Sequence, residues 1–148
     1  MESHKNPWKT LDGKLIYENP WIRVDEFNVI NPSGGKGIYG KVSFKGAVPE
    51  NETLEIGAKR ELKEETGLHC QELEFLCKIH TSNSVTDEVG FAYLATGLTE
   101  GETNFDDTED ISIQKLPFTE VLEMVLDGRI TDSLSVAAIM RFARKKGI

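Results

Sequence analysis

Apolar and polar residues alternate over residues 14–19 and 22–29, and residues 37–44 carry apolar side chains at their even positions Ile38, Val42 and Phe44. A period of two is typical of β-strands, so this pattern predicts three strands. The Asn-Pro-Ser-Gly-Gly-Lys stretch at 31–36 predicts a turn between the second strand and the third. We therefore expect an N-terminal antiparallel β-meander, preceded by an arm over the largely polar residues 1–13.

The remainder of the chain predicts three more strands and three helices. The strands are expected at 73–79, 89–98 and 111–115, with a polar loop over 80–88 and an acidic loop over 99–110. The helices are expected at 53–66, 118–126 and 132–145, with Asn51 as the N-cap of the first and Thr131 or Asp132 as the cap of the last. This order predicts one α+β domain over residues 1–148, in which a mixed sheet carries helices on its faces as an α/β/α sandwich.

Composition narrows the classes of partner. The net charge of −8 argues against a nucleic-acid polymer or an anionic membrane, because either would be repelled. A small anionic substrate still fits if a cation screens it. Cys70 and Cys77 are too few for a zinc cluster and predict buried free thiols of a reducing compartment, and no apolar run reaches the length of a membrane span. We expect a cytoplasmic protein. Its three histidines show no metal-ligand spacing and are expected to be incidental: His4, His69 and His80.

Three carboxylates crowd the end of the first predicted helix. Glu61, Glu64 and Glu65 are three and four positions apart, so they share one helix face, and the Glu61–Glu65 pair alone disfavours an isolated helix by roughly 0.2–0.5 kcal/mol. A divalent cation bound between the carboxylates would relieve this repulsion, and Mg²⁺ suits carboxylate oxygens together with substrate phosphates. The alternative is a solvated acidic face without function.

The stretch that contains these carboxylates resembles the signature of the Nudix hydrolases. The order is Gly46, five residues, Glu52, seven residues, Arg60-Glu61-Leu62, one residue, Glu64-Glu65, one residue, Gly67. The resemblance implies a site for Mg²⁺, or for Mn²⁺ in its place. Its implied metal ligands are Glu61, Glu64, Glu65 and the backbone carbonyl of Lys45. Its implied structural residues are Gly46, Glu52, Arg60 and Gly67, with Glu52 and Arg60 as an ion pair between loop and helix.

Later motifs resemble the ADP-ribose pyrophosphatases and related nucleoside-diphosphate-sugar hydrolases. Residues 82–88 (SNSVTDE) are similar to their substrate loop, which implies that Glu88 and Ser82 contact the substrate. Residues 107–111 (DTEDI) resemble their late acidic loop, which implies Glu109, or else Asp107, as the general base or a further metal ligand. Glu64 is a further candidate for a catalytic role. A solvated acidic turn is the alternative for the late loop.

The chain departs from this family just before the signature. Residues 1–45 resemble an N-terminal strand region that family members often use to form a dimer, and residues 46–148 resemble the catalytic part. Two or three strands that the family places between these regions have no counterpart, because Phe44-Lys45 runs directly into Gly46. Either residues 14–44 replace them, or a homodimer compensates. We expect Leu54, Ala58 and Leu62 to be partly uncovered and a partner subunit to cover them.

Taken together, the resemblance implies Mg²⁺-dependent hydrolysis of a nucleoside diphosphate linked to a sugar, with ADP-ribose giving AMP and ribose 5-phosphate. Two alternatives remain. One is a Nudix-like module that binds a nucleotide without cleaving it, and the other is a shortened, inactive relative.

Overall fold

The computed structural model describes residues 6–45, 51–82, 84–102 and 112–148, which form two compact units. The first unit consists of the described parts of Met1–Gly46 and Ser82–Glu88, and the second of those of Ala47–Thr81 and Val89–Ile148. The strands are β1 (Lys9–Glu18), β2 (Ile22–Ile30), β3 (Lys36–Phe44), β4 (Leu68–His69), β5 (Glu72–His80), β6 (Val89–Thr96) and β7 (Thr99–Glu100). The helices are α1 (Leu54–Thr66), α2 (Phe118–Leu126) and α3 (Ser133–Lys146).

The first unit contains the predicted β-meander, with strand order β1-β2-β3 and antiparallel pairing throughout. The turn between β2 and β3 forms because the Asn31 side-chain oxygen accepts hydrogen bonds from the backbone N–H groups of Ser33 and Gly35, at 3.0 and 2.9 Å. Gly34 has φ +86°, a left-handed conformation that glycine adopts without strain. The N-terminal part of the predicted fold is therefore confirmed.

The predicted arm over residues 1–13 is wrong from Lys9 onwards. Strand β1 begins there, with Lys9 opposite Ile30 and Gly13 opposite Phe27. Backbone pairing with β2 supports these polar residues, and a hydrogen bond of 2.7 Å joins the Asn28 amide to the Asp12 carboxylate across the two strands. A solvent-exposed edge strand needs no apolar alternation, so its first half is invisible in the hydrophobic pattern.

A buried carboxylate, paired with an exposed arginine, lies in this sheet near its buried valine. Val29 is buried, and Asp25 is also buried but accepts two hydrogen bonds from the Arg23 guanidinium, at 2.7 and 2.9 Å. The hydrogen bonding from Arg23 lowers the pKa of Asp25 against the opposing effect of desolvation. The carboxylate therefore remains charged inside the sheet.

Helix α1 in the second unit has defined caps at both ends. The Thr53 hydroxyl oxygen accepts a hydrogen bond from the backbone N–H of Ile56 at 3.3 Å, so Thr53 is the N-cap and the prediction of Asn51 is wrong. Thr53 stands immediately before the first helical residue, where a side-chain oxygen reaches the free N–H groups of the first turn. Gly67 ends the helix at φ +67°, as predicted, and its N–H donates to the Lys63 carbonyl.

Strands β5 and β6 pair antiparallel, and α3 packs against both of them. Helix α2 packs on α3, where the rings of Phe118 and Phe142 meet edge to face at 4.7 Å between centroids. The buried hydrophobic residues of this unit are Leu122 and Ala143. The short β4 and β7, which pair with each other, were not predicted, since two-residue strands show no periodicity.

The structure decides three predictions for the later part of the chain: the strand at 111–115, the N-cap of the last helix and the burial of the cysteines. Residues 112–115 are not a strand, because no described strand pairs with them, and Ile111 lies outside the described residues. Asp132 rather than Thr131 caps α3, by accepting a hydrogen bond from the Ser135 N–H at 2.8 Å. Both Cys70 and Cys77 are free thiols, half-buried rather than buried.

Among the described helices, none combines the length and the apolar character that crossing a membrane requires.

The cap of α1 gives a direct test of this local structure. We expect Thr53→Ala to lower the free energy of unfolding by about 1 kcal/mol, since one N–H of the first helical turn loses its partner. The matched control is Asn51→Ala, which should change stability by less than about 0.5 kcal/mol. Urea unfolding followed by circular dichroism measures both, and a larger loss for Asn51→Ala would contradict the assignment of the cap.

Candidate functional site

The acidic cluster of α1 is organised around the guanidinium of Arg60. One of its terminal nitrogens, Nη1, contacts Glu64 Oε2 at 2.7 Å and Glu61 Oε1 at 2.8 Å. Its Nε and Nη2 both lie 3.4 Å from Glu52 Oε2. The guanidinium therefore joins the segment before the helix to two carboxylates on the helix itself. These contacts include the predicted ion pair of Arg60 with Glu52.

The charged groups of this cluster are partly shielded from water, which strengthens the attraction between them. The Glu52 side chain is 15% exposed and that of Arg60 is 33% exposed, so water screens the pair incompletely. The pKa of Arg60 is held above its ordinary value, first by the hydrogen bond to Glu64 and then by the one to Glu52. Arg60 is a permanent cation that partly neutralises three carboxylates.

The predicted metal ligands are not assembled into a binding group among the described residues. No set of three or more His, Cys, Asp or Glu side chains within residues 6–45, 51–82, 84–102 and 112–148 is arranged to hold a metal ion. Arg60 pairs with both Glu61 and Glu64, and Glu64 and Glu65 both lie in the last turn of α1. Lys45 belongs to the first unit, where its N–H donates to the Trp21 carbonyl at 2.9 Å.

Three predicted site residues lie outside the described residues: Gly46, Asp107 and Glu109. Gly46 precedes α1 in the sequence, and Asp107 and Glu109 belong to the acidic stretch at 107–111. The roles expected of them stay predictions.

The predicted substrate loop lies along strand β3 in the first unit. A parallel bridge joins Thr86 to Val42, whose N–H donates to the Val85 carbonyl at 2.8 Å and whose carbonyl accepts from the Asp87 N–H at 3.2 Å. The Glu88 N–H donates to the Thr86 hydroxyl at 3.0 Å. Ser82 Oγ accepts a weak hydrogen bond from the Ser84 N–H at 3.4 Å. Both predicted substrate residues, Glu88 and Ser82, thus belong to a loop bonded to the N-terminal sheet.

Side chains from alternate positions of β3 strengthen this attachment. Lys41 Nζ lies 2.8 Å from Asp87 Oδ2, and the Ser43 hydroxyl donates to the same oxygen at 2.7 Å. The Tyr39 hydroxyl donates to the Ser84 carbonyl. Sequence reasoning missed these residues, although positions 39, 41 and 43 carry hydrogen-bonding groups between the even apolar positions of the strand. That alternation in the sequence already indicates that β3 has one polar face.

A cleft of about 580 Å³ opens beside this loop, within the first unit. Its walls include the rings of Trp8 and Tyr39, whose centroids are 6.2 Å apart, together with Phe27. Lys41 and Ser84 add polar groups to the rim. The cleft thus combines aromatic faces with hydrogen-bonding groups.

Two family models match the chain. The NUDIX domain matches residues 29–134, which is more than half of the 148 residues. The nucleoside diphosphate sugar hydrolase N-terminal domain matches residues 8–42, the strands of the β-meander. The two matches overlap over residues 29–42, which include the end of β2 and most of β3. The boundary expected near residue 45 stays a prediction.

Two curated relatives illustrate the range of the similarity. A methanol dehydrogenase activator from Bacillus methanolicus is 34% identical over 96 residues, which cover 64% of this chain and 52% of the relative. An ADP-ribose pyrophosphatase from Bacillus subtilis is 27% identical over 141 residues, which cover 94% of this chain and 70% of the relative. The chain thus spans about half the length of the first relative.

A solved structure described as an ADP compounds hydrolase has a TM-score of 0.80 against this chain, covering 95% of this chain and 96% of that one. At 16% identity, this likeness concerns the fold. It agrees with the α+β architecture expected from the sequence. The nucleoside diphosphate sugar hydrolase N-terminal domain resembles the N-terminal strands alone, whereas the NUDIX match over residues 29–134 places the chain in the Nudix family.

Proposed function

We propose that this chain hydrolyses the diphosphate bond of a nucleoside diphosphate linked to a sugar, with ADP-ribose converted to AMP and ribose 5-phosphate. The observation that carries the proposal is the combination of two family models on one chain, a NUDIX domain at 29–134 and a nucleoside diphosphate sugar hydrolase N-terminal domain at 8–42. The first points to the reaction and the second to the class of substrate. The ADP-ribose pyrophosphatase of Bacillus subtilis supports the choice of substrate.

The donor chemistry of α1 fits a hard divalent cation. Nudix hydrolases generally use a divalent metal, and carboxylate oxygens are the ligands that Mg²⁺ prefers. Glu61, Glu64 and Glu65 would hold it, with the Lys45 carbonyl as a further donor. When bound, such a cation neutralises charge on phosphate oxygens and lowers the pKa of water.

The chain's own residues then have separate tasks. Glu109, or in its place Asp107, would accept the proton of the attacking water, with Glu64 as a third candidate. Water attacks phosphorus, the bond from that phosphorus to the bridging oxygen breaks, and the sugar phosphate or the nucleoside monophosphate leaves. Arg60 holds Glu61 and Glu64 at 2.8 and 2.7 Å and so limits the rotation of both carboxylates.

The aromatic cleft of the first unit supports a nucleoside as part of the substrate. Its 580 Å³ and its Trp8 and Tyr39 rings suit a stacked base, which gains roughly 1–3 kcal/mol from an aromatic platform. The polar groups of Lys41 and Ser84 suit the edge of the base or its ribose.

A second candidate function is binding without cleavage. The pairing of Arg60 with both Glu61 and Glu64 favours it, because the ion pairs compete with any metal for the same oxygens. A chain in which Arg60 wins that competition would bind a nucleotide and leave it intact.

Incubation of the purified chain with Mg²⁺ and ADP-ribose, GDP-mannose or NADH separates the two candidates. Chromatographic product analysis and calorimetric binding are measured together, with an EDTA control. AMP and ribose 5-phosphate from ADP-ribose support the proposal. Binding without products supports the second candidate, and neither binding nor products refutes both.

The variant Glu65→Gln tests the metal assignment within the same assay. It should lower turnover by at least about 100-fold, since one carboxylate ligand becomes a neutral amide. The matched control is Glu55→Gln in the first turn of the same helix, which should retain near-normal turnover. Circular dichroism checks that both variants are folded. Near-normal activity of Glu65→Gln would refute the assignment.

Arg60 is proposed as the tie between loop and helix, and this role is tested by stability alone. Arg60→Met should lower the free energy of unfolding by about 1–3 kcal/mol, because the half-buried Glu52 loses its charge-assisted bond. Lys59→Met, at an exposed neighbouring position of α1, serves as the control and should change it by less than about 0.5 kcal/mol. Equal losses in denaturant unfolding would rule out the tie.

A homodimer through the N-terminal strands is proposed as the state of the folded chain. All ten residues of β1 are exposed, including the apolar Leu15, Ile16 and Tyr17, and Leu54 of α1 is 40% exposed. Sedimentation at micromolar concentration should give a dimer. Ile16→Lys should shift it towards monomer, whereas Leu126→Lys in α2, at a similarly exposed apolar position, should not. A monodisperse wild-type monomer would contradict the dimer.

A further inference from the structure

The attachment of residues 84–88 to β3 converges on one carboxylate. Asp87 receives hydrogen bonds from the Lys41 ammonium at 2.8 Å and the Ser43 hydroxyl at 2.7 Å, and its own N–H donates to the Val42 carbonyl. It lies one residue before Glu88, which is the predicted substrate contact. Asp87 itself has no assigned part in the proposed reaction.

We propose that Asp87 is a positioning residue, held by Lys41 and Ser43, that fixes the backbone of residues 84–88 and thereby presents Glu88 to the substrate. This inference rests on the proposed function for its kinetic consequence. The loop anchoring itself is a property of the first unit alone.

The need for a side-chain anchor follows from the thin backbone attachment. Among the described residues of the loop, two backbone hydrogen bonds, of 2.8 and 3.2 Å, surround a single bridge to β3, which is far less than a full strand provides. The Asp87 carboxylate adds two charge-assisted contacts immediately before Glu88, and such bonds are shorter and stronger than neutral ones. The Thr86 hydroxyl then orients the Glu88 N–H at 3.0 Å.

The groups around Asp87 keep it ionised. The hydrogen bond from Lys41 lowers its pKa, Ser43 and the backbone of Phe44 act in the same direction, and desolvation opposes them. The carboxylate therefore accepts hydrogen bonds at neutral pH and donates none. An amide in its place would lose the attraction to Lys41.

The variants follow from these contacts. Asp87→Asn removes the charge and keeps the size, and Ser43→Ala removes the hydroxyl that donates to the same oxygen. The control is Asp127→Asn, an aspartate that pairs with Arg129 at 2.7 Å and whose side chain is 47% exposed against 43% for Asp87. If the loss of any exposed ion pair had the same effect, Asp127→Asn would show it equally.

The kinetic expectation is a selective loss of substrate binding. With ADP-ribose and Mg²⁺, Asp87→Asn should raise KM about tenfold, equivalent to about 1.4 kcal/mol, and leave kcat within about twofold. Ser43→Ala should raise KM in the same direction by less, because the Lys41 contact remains, and Asp127→Asn should keep the wild-type KM. An unchanged KM in Asp87→Asn overturns the proposal, as does an equal rise in Asp127→Asn.

Hydrogen exchange gives a readout that is independent of catalysis. The Val42 and Asp87 amides, which bond to the Val85 and Val42 carbonyls, should exchange faster in Asp87→Asn than in wild type or Asp127→Asn. Faster exchange with an unchanged KM means that the anchor exists but does not position the substrate, and unchanged exchange means that there is no anchor. Either result overturns the proposal.

Binding and hydrogen-exchange measurements distinguish failure of the proposed function from failure of the positioning role of Asp87. If wild type binds ADP-ribose without cleaving it, the calorimetric Kd replaces KM, and Asp87→Asn should weaken it about tenfold. If wild type binds no nucleotide, the proposed function and the positioning role both fall. The exchange measurement then still reports whether the loop is anchored.

Discussion

Electrostatic repulsion on one helix face is the constraint around which the candidate site is arranged. Glu61 and Glu64 lie close together on α1, and the chain places a permanent cation, Arg60, between them and Glu52. The guanidinium fork can contact several carboxylate oxygens at once, which a lysine ammonium does with less defined geometry. The stability of the loop before α1 and the availability of the carboxylates to a metal thus depend on the same group.

The N-terminal β-meander holds the loop that is expected to contact the substrate. Strand β3 uses its backbone and its alternate polar side chains to hold residues 84–88, which are distant in sequence. The same strand lines the aromatic cleft through Tyr39. A region similar to the nucleoside diphosphate sugar hydrolase N-terminal domain is therefore joined physically to the loop expected to contact the substrate.

Burial is sparse among the described residues. Their buried hydrophobic side chains are Val29, Leu122 and Ala143, while Trp21 and Ile38 are more than 60% exposed. Small units bury a smaller fraction of their surface than large domains do, so each additional covered apolar face matters for stability. Leu54 of α1 and the apolar residues of β1 are among the exposed side chains.

The hydrophobic pattern of the sequence was sufficient for β2, β3, β5, β6 and the three helices, because strong periodicity and cap residues are local properties. The spacing of Gly46, Glu52, Arg60, the three glutamates and Gly67 was sufficient to indicate the family, since each motif position is set by residue type. The first half of β1, the pair β4–β7 and the Thr53 cap were not readable, because pairing and short-range hydrogen bonds depend on three-dimensional neighbours. By itself, the sequence indicated which carboxylates are candidates for the site, and it placed Arg60 one and four positions before Glu61 and Glu64, within reach on one helix. Only the tertiary structure decided that Asp87 binds Lys41 and Ser43, since residues more than forty positions apart meet only when the chain folds.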